Sequence, residues 1–133
     1  MAKKFLVAVV DDDESVRKAL RRLLIASDLG VETFASGEEF LASLCAQSPD
    51  CLILDLHMPG LTGLEIQRQI ARIGLRIPIV VITAYDETAS REKCLTAGAA
   101  AYLPKPLDGQ VLLDAIAVAV RPHSVADNPK QAT

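Results

Sequence analysis

The first apolar run of this 133-residue sequence ends in three consecutive aspartates, Asp11, Asp12 and Asp13, and a later apolar run ends in Asp55. If the two runs are neighbouring strands of one parallel sheet, their carboxylates meet at its C-terminal edge, where open α/β sheets place their ligands. Several carboxylates in one crevice repel one another unless a hard cation lies between them. The spacing therefore predicts a magnesium site.

Composition restricts the class of protein to which the chain can belong. A length of 133 residues, half of them apolar, is typical of one domain with one substantial core. The net charge of -3 argues against direct nucleic-acid binding, which requires a strongly basic face. The N-terminal residues lead into the first apolar run without a signal segment, and no apolar run approaches the ~18 residues of a membrane span. We expect a cytoplasmic protein without membrane contact.

The cysteines and histidines form no metal-binding or disulfide pattern. Cys45, Cys51 and Cys94 are an odd set without paired spacing, so we expect buried or half-buried thiols in a reducing compartment. His57 and His123 are too far apart in the sequence to suggest a ligand pair. Neither histidine is predicted to be catalytic.

Strand-like and helix-like segments alternate along the chain. Short β-branched runs predict five strands, at residues 5–10, 31–34, 51–54, 79–82 and 100–103. Apolar residues at one-face helical spacing lie between several of these runs. This alternation predicts the α/β class, with a doubly wound, five-stranded parallel sheet covered by helices on both faces.

Several helix boundaries carry sequence signals. Ser36 with Glu39, and Thr62 with Glu65, have the spacing of a capping box and predict helix starts. Three glycines are expected to follow helix ends, and these are Gly30, Gly74 and Gly98.

The residues at the ends of four predicted strands are specific as a set. In chain order they are Asp11-Asp12, Asp55 with His57-Met58-Pro59-Gly60 after it, Thr83-Ala84, and Lys105-Pro106. In this order and spacing the chain resembles a receiver domain of a two-component response regulator over residues 5–121. Residues 10–18 further resemble the branch of receivers that is often fused to helix-turn-helix DNA-binding domains.

The resemblance also implies the arrangement of the fold and its limits. Receivers have a flavodoxin-like (βα)5 fold with the strand order 2-1-3-4-5. We expect the receiver domain to occupy residues 1–121. Residues 122–133 are polar, contain proline and lack periodicity, so they are expected to be a disordered tail or the stub of a linker.

The resemblance implies a phosphoryl acceptor and a metal. Asp55 would attack the phosphorus of a phosphohistidine and form an acyl phosphate. Mg²⁺ would be held by Asp12 directly, by Asp11 directly or through water, by Asp55, and by the backbone carbonyl of His57. Asp13 falls where the first helix begins and is expected to cap that helix.

Three further residues would act on the phosphoryl group or respond to it. Lys105 would reach toward Asp55 and then toward the phosphoryl oxygens, and Thr83 would offer its hydroxyl to another of those oxygens. The resemblance implies a usually cis peptide bond before Pro106. Tyr102 would be a switch residue whose ring turns into space that Thr83 vacates, which would change the face formed by helix four, strand five and helix five.

The resemblance also implies partners. The phosphoryl donor would be a sensor histidine kinase or a phosphotransfer protein. Residues 111–120 are apolar around more than one side of the last helix, which suggests a homodimer when the chain is phosphorylated, although small exposed alanines need no partner. Output would be transcriptional control by an attached or a separate effector. Both kinds of effector stay open because the chain alone does not decide between a stand-alone receiver and part of a longer regulator.

Alternatives from other classes remain. A magnesium-dependent phosphatase with an aspartate nucleophile uses similar residues, but it requires a second acid two positions after the nucleophile, where this chain has His57. A flavodoxin-like FMN protein needs a phosphate-binding loop where this chain has three acids. A receiver-like module that binds partners without phosphorylation is less favoured because every expected site residue is present. We therefore expect a phosphoacceptor and not an enzyme that turns over external substrates.

Some positions depart from the common receiver pattern. Pro104 precedes Lys105, and Leu107 stands where an aromatic residue often follows, so the loop is expected to be stiffer than usual. His57 and Tyr85 lie two residues after Asp55 and Thr83. In receivers these positions influence access of the hydrolytic water, and two bulky rings there are expected to slow loss of the phosphoryl group.

Overall fold

The computed structural model describes residues 4–121 and has ten elements in strict βα alternation. The strands are β1 (Leu6–Val10), β2 (Gly30–Phe34), β3 (Cys51–Asp55), β4 (Ile79–Thr83) and β5 (Ala101–Pro104). The helices are α1 (Glu14–Ala26), α2 (Gly37–Ser43), α3 (Gly63–Arg72), α4 (Thr88–Thr96) and α5 (Gly109–Ala119). Residues 122–133, predicted to be a tail or linker, lie outside the described residues.

The strands form one sheet in which every pairing is parallel and the order is β2-β1-β3-β4-β5. This confirms the predicted fold class and strand order. The central strands β3 and β4 bury all five of their residues, as parallel strands covered on both faces do. The ends of β1, β3 and β4 therefore lie side by side at one rigid edge.

The sheet separates two apolar clusters. One contains side chains from α1 and α5, including Leu24 and Ile116, and the other contains side chains from α2, α3 and α4, including Phe40, Ile66 and Cys94. Among residues 4–121, no helix is both long enough and apolar enough to cross a bilayer.

The predicted helix boundaries hold at most positions. Thr62 and Glu65 form a complete capping box, and Gly74 and Gly98 adopt φ values of 84° and 106° just after α3 and α4. The prediction for Gly30 is wrong, because α1 ends at Ala26 and Gly30 is the first residue of β2. The left-handed residue after α1 is Asp28, with φ 63°.

Two other expectations need correction. Ser36 accepts a hydrogen bond from the Glu39 N–H, but the Glu39 carboxylate accepts from the N–H of Ala35, so the reciprocal bond of a capping box is not made at the cap residue. Cys51 and Cys94 are buried as expected, whereas Cys45 is exposed.

Gly63 is the position where α3 meets the strand that ends in Asp55. A Cβ added there would lie 2.7 Å from the carbonyl oxygen of Asp55 and 2.9 Å from the Cα of Leu56, both backbone atoms that cannot move aside. We expect Gly63→Ala to lower the free energy of unfolding by about 2 kcal/mol, as overpacking does, in urea titrations followed by circular dichroism. Gly30→Ala is the control, because its Cβ would meet nothing closer than 3.4 Å. Equal stability of the two variants would contradict the expectation.

Candidate functional site

Asp11 is held in a fixed position just beyond β1. Its N–H donates to the carbonyl of Phe34, and its fully buried carboxylate accepts from the Asp13 N–H at 2.9 Å and from Lys105 Nζ at 2.8 Å. Asp13 caps α1 through a bond from the Ser15 N–H, as predicted. Asp11 therefore points into the site, while Asp13 is engaged by the helix and Asp12 is exposed.

Asp55, the last residue of β3, is only 3% exposed. One carboxylate oxygen from each of Asp11, Asp12 and Asp55 lies within 4.8 Å of the other two. Oxygen ligands from a few carboxylates, with space for water, are the donor set that Mg²⁺ uses in proteins. The predicted acidic residues thus converge, and their chemistry fits a hard divalent cation.

The electrostatics of the site follow from this convergence. Burial, together with the charge of Asp11, raises the pKa of Asp55 to about 7, against the opposing effects of Lys105 and the His57 N–H. Burial alone would lower the pKa of Lys105, but its hydrogen bond to Asp11 and the charges of Asp11 and Asp55 outweigh burial and raise it. The acids carry more negative charge than one lysine neutralises, so the site favours an added cation.

Lys105 reaches the site from the loop after β5, where the Lys105-Pro106 bond is cis as expected. Its Nζ is 2.8 Å from Asp11 Oδ2 and 3.6 Å from Asp55 Oδ1. The sequence indicated Asp55 as the partner, and the structure adds Asp11 as the closer one. Lys105 is therefore near both carboxylates and close to any group attached to Asp55.

Thr83, the last residue of β4, is buried beside these acids in the sheet. Its hydroxyl accepts from the N–H of Tyr85 at 3.0 Å and donates to the carbonyl of Tyr85 at 3.2 Å. Both bonds are made to the backbone of the loop after β4. To serve a group on Asp55, the hydroxyl would have to leave Tyr85.

Residues 7–117 match the family model described as the response regulator receiver domain. The chain belongs to this family. Among the curated proteins to which it is similar are nodulation protein W of Bradyrhizobium diazoefficiens, 39% identical over 87% of this chain and 51% of that protein, and the response regulator MprA of Mycobacterium ulcerans, 41% identical over 92% and 53%. The receiver chain spans about half the length of these relatives.

Solved structures show the same likeness. FixJ-N superposes with a TM-score of 0.83 at 33% identity, over 94% of this chain and 99% of that one. A response regulator receiver protein from Burkholderia phymatum superposes with a TM-score of 0.78 at 44% identity, over 88% and 95%. These matches cover most of the described chain. They favour a receiver domain over a phosphatase or a flavin-binding protein.

Tyr102 of the receiver lies inside the core. The residue is 4% exposed, and its hydroxyl donates to the carbonyl of Tyr85 at 3.5 Å. Burial raises the pKa of Tyr102, which keeps the phenol protonated and able to donate. The ring is already buried in this structure, and its turn toward Thr83 stays a prediction.

Two exposed rings stand beside the site. His57, after β3, and Tyr85, after β4, make an edge-to-face contact with centroids 5.2 Å apart. The contact joins two loops that lead out of neighbouring strands. The part of the His57 carbonyl in metal binding stays a prediction.

The sequence did not indicate two participants near the switch residues. One is the backbone carbonyl of Tyr85, which accepts from both Thr83 and Tyr102. The other is Arg91 of α4, whose Cζ lies 5.8 Å from the centroid of the Tyr102 ring. A backbone group leaves no sequence signal, and α4 has only one buried side chain, so its helical pattern is weak.

Proposed function

We propose that this receiver domain accepts a phosphoryl group on Asp55 from a sensor histidine kinase or a phosphotransfer protein, with Mg²⁺ held by Asp11, Asp12, Asp55 and the His57 carbonyl. The observation that carries the proposal is the convergence of three carboxylates around an acid that Lys105 also reaches. When bound, Mg²⁺ supplies positive charge that offsets the repulsion between acids and phosphoryl oxygens.

Each protein group has a defined part in the proposed transfer. An oxygen of the ionised Asp55 carboxylate bonds to phosphorus while the phosphorus–nitrogen bond of the phosphohistidine breaks, and the imidazole nitrogen keeps the electron pair. Lys105 donates to a phosphoryl oxygen, and the Thr83 hydroxyl turns from Tyr85 to another. The chain takes up one group per molecule, so it acts as a phosphoacceptor and not as a catalyst of external turnover.

Phosphoryl uptake tests the proposal directly. The protein is incubated with acetyl phosphate, a small phosphoryl donor, in MgCl₂ or in EDTA, and its intact mass is measured. We expect one added phosphoryl group per chain with MgCl₂, lost after treatment with hydroxylamine, which cleaves acyl phosphates. An unchanged mass in MgCl₂ would contradict the proposal, and a phosphatase assay on a general phosphoester would test the enzymatic alternative.

The proposed output is transcriptional control by an attached or a separate effector, without nucleic-acid binding by this chain. The curated relatives, of which the chain spans about half, support an attached effector. The proposed donor implies action in the cytoplasm.

Homodimerisation of the phosphorylated receiver through the face formed by α4, β5 and α5 is a separate prediction. Val111 and Val118 of α5 are 51% and 56% exposed, while Leu112 and Ile116 face the core. We expect the mass from light scattering to double when beryllium fluoride, a phosphoryl mimic, is added with MgCl₂. Val118→Asp should prevent the doubling, since it adds a charge to the apolar face. A monomer with fluoride bound would contradict dimer-mediated output.

The His57–Tyr85 ring pair is expected to lengthen the lifetime of the acyl phosphate, because it restricts the approach of water to Asp55. We expect His57→Ala and Tyr85→Ala each to shorten the half-life severalfold, measured as loss of the phosphorylated mass with time. Tyr85→Phe is the matched control, since it keeps the ring contact. Unchanged half-lives in both alanine variants would contradict the hypothesis.

A further inference from the structure

The carbonyl oxygen of Tyr85 accepts hydrogen bonds from two hydroxyl groups at once. Thr83 donates to it at 3.2 Å and Tyr102 at 3.5 Å. A carbonyl oxygen has two lone pairs, so both acceptor positions are occupied. The Tyr85 carbonyl oxygen therefore links Thr83, at the end of β4, to Tyr102 of β5.

The inference rests on the proposed function, in which the Thr83 hydroxyl turns to a phosphoryl oxygen. The Tyr85 carbonyl then loses one of its two donors. It keeps a donor from the protein only if the Tyr102 phenol stays in reach, and loss of that donor as well would be unfavourable for a part-buried carbonyl. If the Tyr102 ring is held in place, the Thr83 hydroxyl can therefore leave the Tyr85 carbonyl more easily.

Arg91 is placed to hold this ring. Its guanidinium carbon is 5.8 Å from the ring centroid, within the range of a cation–π contact. Within residues 4–121, the ion pairs are Lys4–Asp28, Lys18–Glu14 and those of Lys105, so Arg91 forms no ion pair with a described carboxylate. Of the α4 side chains only Cys94 is buried, and the contact of Arg91 with Tyr102 also joins this helix to β5.

We propose that Arg91 is a positioning residue of the switch, whose guanidinium holds the Tyr102 ring where the phenol retains the Tyr85 carbonyl after Thr83 has left it. Arg91 thereby favours the phosphorylated arrangement without touching the phosphoryl group. It also ties the orientation of α4 to the loop that follows β4.

The chain allows a direct measurement of this ring. It contains two tyrosines and no tryptophan, so Tyr85→Phe leaves Tyr102 as the sole fluorophore while it keeps the backbone carbonyl of residue 85. In that background, Arg91→Ala is expected to raise the acrylamide quenching constant of Tyr102 about twofold. The affinity for beryllium fluoride with MgCl₂, measured by calorimetry, should fall about two- to fivefold, as loss of one cation–π contact with an exposed guanidinium implies.

Two variants separate a specific role from a general one. Arg91→Lys keeps a cation on the same stem and should restore part of both effects. Lys93→Ala removes an exposed positive charge two residues along α4 and should match the parent. The inference is overturned if Arg91→Ala leaves quenching unchanged, or if Lys93→Ala produces the same changes. If the parent fails to bind beryllium fluoride, the proposed function fails, while the quenching data still decide whether Arg91 holds the ring.

Discussion

Replacing Asp55 with asparagine is expected to abolish phosphoryl uptake and, in metal-free buffer at pH 8, to stabilise the fold. The carboxamide lacks the nucleophilic oxygen, so the added mass with acetyl phosphate and MgCl₂ should fall to background. The same change removes a buried charge. Burial of Asp55, together with the charge of the neighbouring Asp11, raises the pKa of Asp55 to about 7. We expect the free energy of unfolding to rise by about 1–3 kcal/mol, which is less than the roughly 4 kcal/mol to which a pKa change from 3.8 to about 7 corresponds at most.

Asp28→Asn is the matched control for this experiment. Its side chain is 92% exposed on the surface, far from the site, and asparagine tolerates its left-handed backbone. The control should take up phosphoryl groups as the parent does and have nearly the same stability. Retained uptake in Asp55→Asn would show that another residue is the acceptor, and lower stability in that variant would contradict the repulsion between the acids.

The second large effect is a dependence of stability on pH that magnesium opposes. The pKa of Asp55 is about 7 in the folded chain and near 3.8 when unfolded, so the folded state holds the proton more tightly. Stability from this group is therefore greatest below pH 3.8 and is lost as the pH rises to about 7. A shift of three units corresponds to roughly 4 kcal/mol as an upper bound.

Urea unfolding of the parent and of Asp55→Asn, at pH 5 and pH 8 in EDTA, isolates this contribution. The difference in the free energy of unfolding between the two proteins should be larger at pH 8. Asp55 of the folded parent is ionised at pH 8 and mostly protonated at pH 5. MgCl₂ at 100 times its dissociation constant should stabilise the parent by about 2.7 kcal/mol at pH 8, and Asp55→Asn by clearly less. A difference between the two proteins that does not vary with pH would rule out a raised pKa at Asp55.

Much of the fold could be predicted because strong local signals agreed with the overall pattern. The β-branched runs located all five strands, and the reciprocal bonds of Thr62 and Glu65 mark the start of α3 as their spacing indicated. The error at Gly30 has a physical reason, since Asp28 supplies the left-handed turn after α1 and leaves the glycine free to begin β2. The helix α4 gave almost no pattern, because Cys94 is its only buried side chain.

The acids of the site could be foreseen because parallel strands bring their ends to one edge. Which carboxylate Lys105 approaches more closely could not be predicted, since the distances from its Nζ to the oxygens of Asp11 and Asp55 differ by less than 1 Å. The two hydrogen bonds to the Tyr85 carbonyl could not be predicted from the sequence either, because they depend on side-chain torsions and on a backbone atom common to every residue.

The single buried side chain of α4 has a consequence for amide hydrogen exchange. Strands β3 and β4 bury all of their residues, so their amides should exchange only through global unfolding. The amides of α4 should exchange through a local opening of much lower free energy, since little apolar surface has to be exposed. In the proposed function, a phosphoryl group on Asp55 would therefore act on the helix with the least buried apolar surface, while the sheet that carries the acids keeps its geometry.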